Sequence, residues 1–312
     1  MLTFKNQKKK YKILRKNSST FYLAGLLLPK DKLDKAASLY SFCRWVDDVA
    51  DEAKDSYRAS YYLGKISASL YGQGHVDNLV NEIKIMLKKG PGGVLPAVQL
   101  INTVRTDLGT VRINNERDLI KYCYGVAGTV GVMMCTVLQV KDVKKAYKHA
   151  IDMGIAMQLT NICRDVREDA SFDRRYLPGD LVNRITPDEI LKLNSKNDLV
   201  IREAIQKLLL LAEIYYESGM NGIRFLPTRS RFGICAAATF YRSIGRLMLK
   251  QDCKGWRNRT FVSNTKKLGL LFAVLKQFIE KSCGPESSHN KKLHAAIGEE
   301  CRSIMSKTDT TA

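Results

Sequence analysis

The sequence has little of what builds disulfide-linked, zinc-stabilised or β-rich proteins. Its 8 cysteines include no C-x-x-C pair and none of the paired Cys/His spacings of a zinc domain. Proline accounts for only 7 of 312 residues, so few positions interrupt a long helix, and no segment shows the strict alternation of a half-buried strand. These absences indicate a reduced, cytoplasmic, largely helical protein.

Histidine is scarce as well. The chain has 4 histidines, His75, His149, His289 and His294, and none of them belongs to a recognisable metal-ligand or nucleophile motif. We therefore expect each of them at the surface, without a catalytic or metal-binding role.

Long apolar runs are also missing. The longest, from Leu268 to Leu275, is far shorter than the roughly 18 residues that a membrane-spanning helix needs. Another run, from Phe21 to Leu28, follows the basic N terminus, but polar residues precede it and no small-residue cleavage site follows, so we expect no signal peptide. Hydrophobic residues make up 45% of the chain, which is enough for a large core in a single domain.

Acidic residues are outnumbered by basic ones. The chain has 51 lysines and arginines against 31 aspartates and glutamates, a net charge of +20, which favours an anionic partner such as a diphosphate, an acidic membrane surface or nucleic acid. Residues 1–16 contain 7 of these basic side chains and no acid, which predicts a disordered basic arm. Residues 284–312 form a polar, partly helical tail without a motif, which leaves 17–283 as the main domain.

Several of the acids fall into two stripes with the spacing of one helical face. The first stripe consists of Tyr40, Arg44, Asp47 and Asp51, at offsets of 0, 4, 7 and 11. The second stripe consists of Gln158, Asn161, Asp165 and Asp169, at offsets of 0, 3, 7 and 11. Each stripe taken alone could be a solvated helix face. Apolar residues flank both stripes closely, however, and buried charges must be paired or hold metal.

Two such stripes facing each other would suit a divalent ion. Ligation by carboxylate oxygens alone favours Mg²⁺ over zinc, with Mn²⁺ as a substitute, and Mg²⁺ shares its remaining positions with water and substrate phosphates. The candidate metal ligands are Asp47, Asp51, Asp165 and Asp169.

At these residues the sequence resembles the squalene and phytoene synthases, a family that joins two prenyl diphosphates head to head. Tyr40-x-x-Cys43-Arg44-x-x-Asp47-Asp48-x-x-Asp51 is similar to the family's first aspartate motif, and Gln158-x-x-Asn161-x-x-Arg164-Asp165-x-x-x-Asp169 to its second. The resemblance continues through 122–131, 176–178 and 224–227 to Tyr241, and is greatest to bacterial phytoene synthases. It implies an all-α, single-domain isoprenoid-synthase fold around a central apolar cavity.

The resemblance also implies a reaction. Mg²⁺ held by the four aspartates would promote loss of diphosphate from one substrate, and the double bond of the second would attack the allylic cation. The resulting cyclopropyl diphosphate would ionise again and open to the head-to-head product. The implied catalytic residues are Arg44 and Arg164, which would assist departure of the diphosphate, and Tyr122 and Tyr241, which would stabilise cations or transfer a proton.

The implied substrate-binding residues are Ser18, Thr20, Phe21, Gly25, Ala37, Tyr40, Gln158, Asn161 and Arg174. One position departs from the family, since Asn17-Ser18 replaces the usual His-Ser pair and cannot carry its positive charge. Gly25 and Ala37 are small where bulk would shorten a tube for the prenyl chain. They favour C20 geranylgeranyl diphosphate as substrate and phytoene as product, made without NADPH, although close helix packing is an alternative reason for both.

Other functions stay open at this stage. Squalene or dehydrosqualene synthesis from farnesyl diphosphate is the alternative within the family. A non-catalytic family member is opposed by the presence of all four aspartates, and a basic nucleic-acid-binding helical protein by both acidic stripes. We expect a cytoplasmic enzyme without nucleic acid, with an anionic membrane surface as a further candidate partner. The sequence leaves its oligomeric state open.

Overall fold

The fold is built from α-helices, as the sequence predicts. A computed structural model of the chain describes residues 2–74, 77–90, 92–192, 194–285 and 288–299. Its α-helices are α1 (Leu2–Asn17), α2 (Ser19–Gly25), α3 (Lys30–Asp51), α4 (Ser56–Leu70), α5 (Asn78–Leu87), α6 (Leu95–Arg105), α7 (Glu116–Cys123), α8 (Thr129–Leu138), α9 (Val143–Arg164), α10 (Val166–Ser171), α11 (Pro187–Lys192), α12 (Ser195–Asn221), α13 (Thr228–Lys250), α14 (Asn264–Gly269) and α15 (Leu271–Cys283). The all-α prediction is confirmed.

Two strands of two residues each are the only extended pairing in the described ranges. β1 (Val111–Arg112) and β2 (Arg174–Arg175) run parallel, with Val111 opposite Arg174. So short a ladder forms no sheet of its own. It fastens the loop after α10 to the segment before α7, and thereby fixes the backbone of Arg174.

Helix α9 lies at the centre of the molecule, where it contacts α8, α12 and α13. Apolar side chains cover most of its circumference, so it is buried nearly all round rather than on one stripe. The side chain of Asp142 caps its first turn by accepting a hydrogen bond from the backbone N–H of Lys145.

The helix that carries the second stripe is not continuous. The sequence predicts one helix from Lys141 to Glu168, but α9 ends at Arg164 and α10 begins at Val166, because Asp165 leaves helical geometry at φ −104° and ψ 13°. The side chain of Asp165 is held by Arg164, whose Nε donates to it at 2.8 Å. The backbone N–H of Asp169 still donates to the carbonyl of Asp165, so the stripe continues across the break.

Residues 116–138 form an apolar rod of α7, a π-helical segment (Tyr124–Gly128) and α8. By length and composition this rod could cross a membrane, which the sequence analysis did not expect, yet the structure places it beside α9 with 56% of its most apolar window buried. A Cβ on Gly131 would lie 2.1 Å from the carbonyl oxygen of Ala150. Glycine there lets the two helices meet backbone to backbone.

The predicted disordered arm is instead helix α1. Two of its side chains, Tyr11 and Leu14, pack with Leu33 and Ala37 of α3, and Leu14 is buried. Lys10 is also buried and donates to Ser38 at 2.9 Å. The prediction of disorder was wrong because it weighed the charge of this segment and not its helically spaced apolar residues.

The C-terminal segment joins the core, which a polar tail would not do. Within the described part of this segment, Ile297 is fully buried in the main core cluster, and the hydroxyl of Tyr215 donates to the carbonyl of Leu293 at 2.8 Å. The expectation that the histidines lie at the surface was wrong for three of them. His149 of α9 is buried, and His289 and His294 of the C-terminal segment both bond to a buried aspartate of α9. His75 lies outside the described residues.

Candidate active site

A largely apolar cavity of about 350 Å³ lies beside α9. Eight residues of α9 line it at helical spacing: Ala146, His149, Ala150, Met153, Gly154, Met157, Gln158 and Asn161. Fifteen residues separate the first from the last, so the cavity follows the helix for about 22 Å at 1.5 Å per residue. Its lining is polar where Tyr40, Asp47, Gln158 and Asn161 meet. The predicted central apolar cavity is therefore present.

The first stripe contributes a crowded carboxylate to that polar end. Burial raises the pKa of Asp47 to about 7, and the nearby charge of Asp51 adds to the increase. Arg44 does not neutralise Asp47 by direct contact, because its guanidinium pairs with Asp48 one turn along α3 at 2.5 Å.

The second stripe is only partly neutralised. Asp165 accepts from Arg164 and also lies 3.1 Å from Nε of Arg259. Asp169 has a strongly raised pKa, chiefly because it is buried and then because Asp165 and Glu168 are close. In this stripe, therefore, Asp165 is paired with arginine, whereas the negative charge of Asp169 is poorly compensated.

The amide side chains of this stripe face the same space. Asn161 donates to Oε1 of Gln158 at 3.2 Å, and both residues line the cavity. Oδ1 of Asn161 is buried and has no hydrogen-bond partner among the described residues. An acceptor in this position is suited to a ligand or its water shell.

A carboxylate that the sequence analysis missed joins the two stripes. Asp107 lies in a short 3₁₀ turn after α6, and its charge acts on both Asp47 and Asp169. Burial raises its pKa to about 6, although a hydrogen bond from Tyr122 opposes the increase. Asp107 belongs to neither stripe and to no recognisable motif, so no sequence pattern pointed to it.

Arg174 connects the loop after α10 to the first stripe. Its Nη1 donates to Oδ1 of Asp51 at 2.6 Å, and its Nη2 reaches the carbonyl of Asp107 at 3.3 Å. The β1–β2 ladder holds the backbone of Arg174 in this position.

Aromatic rings form one side of the site. The ring of Phe21 stacks on Tyr241 with centroids 4.7 Å apart, and Tyr40 meets Phe21 edge-on at 6.3 Å. Burial lowers the pKa of Arg164, but its contact with Asp165 outweighs this and raises that pKa, and nearby Tyr241 adds to the increase. Elsewhere in the site, Tyr122 stacks on Tyr176 at 4.7 Å.

Some of the substrate-binding candidates near the N terminus line the cavity, and others serve the packing or capping of helices. Gly25 lines the cavity, whereas Ala37 is fully buried against α1 and its neighbour Ala36 lines the cavity instead. Ser18 caps α2 by accepting from the backbone N–H of Phe21 at 3.2 Å, and Thr20 is buried in the same turn. Asn17, in the position of the family's histidine, bonds back to the carbonyl of Ile13.

The donor set fits a magnesium ion. Asp47 and Asp169 each have a pKa raised first by burial and then by the neighbouring acid of the same stripe, and Asp107 adds to both increases. A cation between them would relieve this repulsion, and oxygen donors are those that Mg²⁺ prefers. Arginines already contact Asp51 and Asp165, so these two could contribute to a metal site only by sharing their oxygens.

Known proteins resemble the chain over most of its length. It matches the family model of squalene/phytoene synthase over residues 14–266. A 15-cis-phytoene synthase from a Paracoccus species is 32% identical over 268 residues, which cover 83% of this chain and 87% of that enzyme. A phytoene synthase from Pseudescherichia vulneris is 30% identical over 278 residues, covering 84% and 88%.

Solved structures show the same architecture. A dehydrosqualene synthase crystallised with a ligand is similar with a TM-score of 0.73 at 27% identity, covering 88% of this chain and 98% of that one. A squalene synthase from Alicyclobacillus acidocaldarius shares the fold with a TM-score of 0.66 at 19% identity, covering 80% and 96%.

Proposed function

The chain belongs to the squalene/phytoene synthase family, and on that premise we propose that it joins two molecules of geranylgeranyl diphosphate head to head to give phytoene. The reaction releases two diphosphates and two protons and consumes no reductant. One observation carries the proposal: residues of both stripes line one long apolar cavity, namely Tyr40 and Asp47 of the first and Gln158 and Asn161 of the second. Such a cavity suits a substrate with a charged head and an apolar chain.

The acidic groups would serve the diphosphate through metal. We assign Asp47, Asp51, Asp165 and Asp169 as the residues that would hold Mg²⁺, with Asp107 as a neighbour that contributes charge. When bound, Mg²⁺ supplies Lewis acidity that neutralises the leaving group. The crowding and desolvation of Asp47 and Asp169 support this assignment, because such carboxylates are costly to maintain without a cation.

The arginines would hold and orient the diphosphate. Arg164 and Arg174 are partly buried and already paired with site carboxylates, so each can share its guanidinium with substrate oxygens without leaving the site. Arg44 pairs with Asp48 on the same helix and is half exposed, which suits it to meet a diphosphate as it enters.

Aromatic and apolar side chains would stabilise the carbocations and keep water away from them. Phe21 and Tyr40 line the cavity, and Phe21 stacks on Tyr241, so these rings would stabilise positive charge that develops on the prenyl chain. Tyr122, whose hydroxyl donates to Asp107, would pass on one of the protons that the reaction loses. The apolar walls would exclude water, which would otherwise quench the cation.

The chain length of the substrate follows from the cavity. About 22 Å along α9 accommodates a chain of several isoprenoid units. Gly25 lines the cavity, and a Cβ there would lie 2.8 Å from Leu33, so a larger residue would take space from the chain. Dehydrosqualene formation from C15 diphosphate is the second candidate, since a dehydrosqualene synthase shares both fold and 27% of the sequence.

The site assignment has a direct test. Asp165→Asn should abolish Mg²⁺-dependent diphosphate release from geranylgeranyl diphosphate, because it removes a charge from the second stripe. Asp188→Asn, an exposed acid at the start of α11, is the matched control and should behave as wild type. Equal turnover of the two variants would refute the assignment.

We also propose that the enzyme acts on the surface of an anionic membrane, where its hydrocarbon product can leave. Four apolar side chains form an exposed stripe at offsets of 0, 4, 7 and 11 along α14 and α15: Leu268, Phe272, Leu275 and Ile279. Lys267 of α14 bonds to Ser19 at 3.3 Å, so the stripe neighbours α2 and the basic helix before it. Each basic side chain near such a surface contributes about 1 kcal/mol.

Vesicle co-sedimentation tests this surface. Wild-type protein should bind vesicles that contain anionic lipid, less so as salt rises, and Ile279→Ser should weaken binding. Ile85→Ser, which alters another exposed isoleucine, on α5, is the matched control. Binding that is absent, insensitive to salt or equally affected by both substitutions would contradict the proposal.

A further inference from the structure

A second cluster of metal-binding side chains lies away from the acidic stripes. Asp152 is fully buried in the middle of α9, and two histidines of the C-terminal segment converge on it. Nε2 of His289 lies 2.9 Å from one carboxylate oxygen, and Nε2 of His294 lies 2.8 Å from the other. The three groups can present their ligand atoms within 4.8 Å of one another.

We propose that Asp152, His289 and His294 bind a divalent transition metal, zinc by the nature of the ligands, and that this metal fixes the C-terminal segment on the helical core. Two imidazole nitrogens and one carboxylate oxygen make a common zinc ligand set with one position left for water. The same set is unlike the oxygen-only carboxylates of the active site, which suit magnesium.

The charges of the cluster favour a metal. A fully buried carboxylate is costly unless positive charge compensates it, and its ring partners are imidazoles whose centroids lie only 4.5 Å apart. Two imidazolium ions at that separation would repel each other. One divalent cation bound by two neutral imidazoles would compensate the carboxylate without this repulsion.

Neighbouring groups hold the carboxylate in place. Ser218 of α12 donates to Oδ2 of Asp152 at 2.5 Å, and Nδ1 of His149 donates to the carbonyl of the same serine at 2.7 Å. Hydrogen bonds of this kind orient metal ligands in proteins. His149 also lines the cavity, so the cluster lies directly behind the wall of the prenyl tube.

The site is separate from the catalytic machinery. Asp152 precedes the end of α9 at Arg164 by 12 residues, or about 18 Å of helix. Both histidines follow the region that matches the family model, which ends at residue 266. The family match therefore does not account for them.

Metal content of the intact chain tests the proposal. Wild-type protein is stripped with a chelator, then equilibrated with zinc in the presence of excess Mg²⁺, which occupies the aspartate stripes. We expect about one zinc per chain and a higher melting temperature with zinc than without. His289→Gln and His294→Gln should each lower zinc affinity by more than about ten-fold, since even outer-shell substitutions cost that much.

Lys291→Gln is the matched control, because Lys291 is exposed between the two histidines and should leave zinc binding unchanged. Failure of the wild type to bind zinc, or undiminished binding by both histidine variants, would overturn the proposal. Co²⁺ bound to the wild type gives a second readout that needs no variant. A visible absorption band typical of mixed nitrogen and oxygen ligation supports the site, and a spectrum like that of the hydrated ion overturns it. None of these readouts depends on prenyl transfer.

Discussion

The hydroxyl of Tyr122 donates a hydrogen bond to Oδ2 of Asp107 at 2.8 Å, and this contact ties the apolar rod of residues 116–138 to the acidic site. Asp107 is the carboxylate through which the charges of both stripes are coupled. Its partner Tyr122 was predicted from the sequence as a catalytic residue, and the structure adds the group that orients its proton.

Removing either partner should slow the reaction. We expect Asp107→Asn and Tyr122→Phe each to lower kcat by about 10–100-fold, within the range for groups that position or transfer a proton. The double variant should cost much less than the product of the two effects, because the residues act as a unit. Steady-state kinetics on the C20 diphosphate measure this. Fully multiplicative losses would show that the contact has no joint role.

The raised pKa of Asp47 makes the metal-free protein pH-sensitive. Its folded-state pKa of about 7 lies above its ordinary value of 3.8, so the folded state binds more protons than the unfolded state between these values. Stability should therefore fall as the pH rises through this window. Asp47→Asn should raise the free energy of unfolding near pH 8 by about 1–3 kcal/mol and have little effect near pH 3.

Urea denaturation in the presence of a chelator measures that difference. Asp48→Asn is the matched control, because Asp48 is paired with Arg44 and its removal should not stabilise the protein. If Asp47→Asn destabilised the chain near pH 8 as much as the control does, the charge of Asp47 would not be unfavourable in the folded state, and the argument from its raised pKa would be wrong.

Arg174 should contribute to binding of the diphosphate. Arg174→Gln removes the charge that contacts Asp51, and we expect kcat/KM to fall by about 100-fold, or roughly 3 kcal/mol of transition-state stabilisation. Arg167→Gln, an exposed arginine on α10, should change kcat/KM little. Arg174→Lys should recover only part of the loss, because it lacks the planar fork. Full recovery with lysine would contradict the assigned geometry.

Bulk at Gly25 should shorten the usable cavity. Gly25→Phe should lower turnover of C20 diphosphate and shift preference toward C15, since even a Cβ at this position approaches Leu33 to 2.8 Å. Gly64→Phe, where an added Cβ meets nothing within 4 Å, is the control. The small size of Ala37 predicted from the sequence that bulk there, as in Ala37→Trp, would act in the same way. Because Ala37 is buried against α1, we now expect that change to destabilise the fold, and Ala36→Phe replaces it. An unchanged preference for C20 diphosphate in both Gly25→Phe and Ala36→Phe would refute the proposal that this cavity holds the prenyl chain.

Local patterns were enough to predict much of the site. The residues of the first stripe lie on one continuous helix, so their spacing alone placed Tyr40, Asp47 and Asp51 on the same face. The second stripe needed more, because Asp165 interrupts the helix and only its backbone bond to Asp169 keeps the two acids in register.

Features that depend on contacts between distant segments could not be predicted. Asp107 has no motif of its own and becomes a site residue only when α6 packs beside α3. The histidines near the C terminus lie 137 and 142 residues from Asp152, so no spacing rule connects them. The prediction for helix α1 failed for a different reason: Leu14, which is buried, and Tyr11, which packs beside it, are surrounded in the sequence by basic residues.

The central claim is that the chain condenses C20 diphosphate to phytoene with Mg²⁺ and without a reductant. The most direct test offers equal concentrations of C15 and C20 diphosphates to the enzyme in one incubation, with Mg²⁺ and no NADPH, and identifies the hydrocarbons by mass. The account predicts phytoene as the main product, unchanged by NADPH and absent when a chelator replaces Mg²⁺. Dehydrosqualene as the main product, or squalene once NADPH is added, would contradict it.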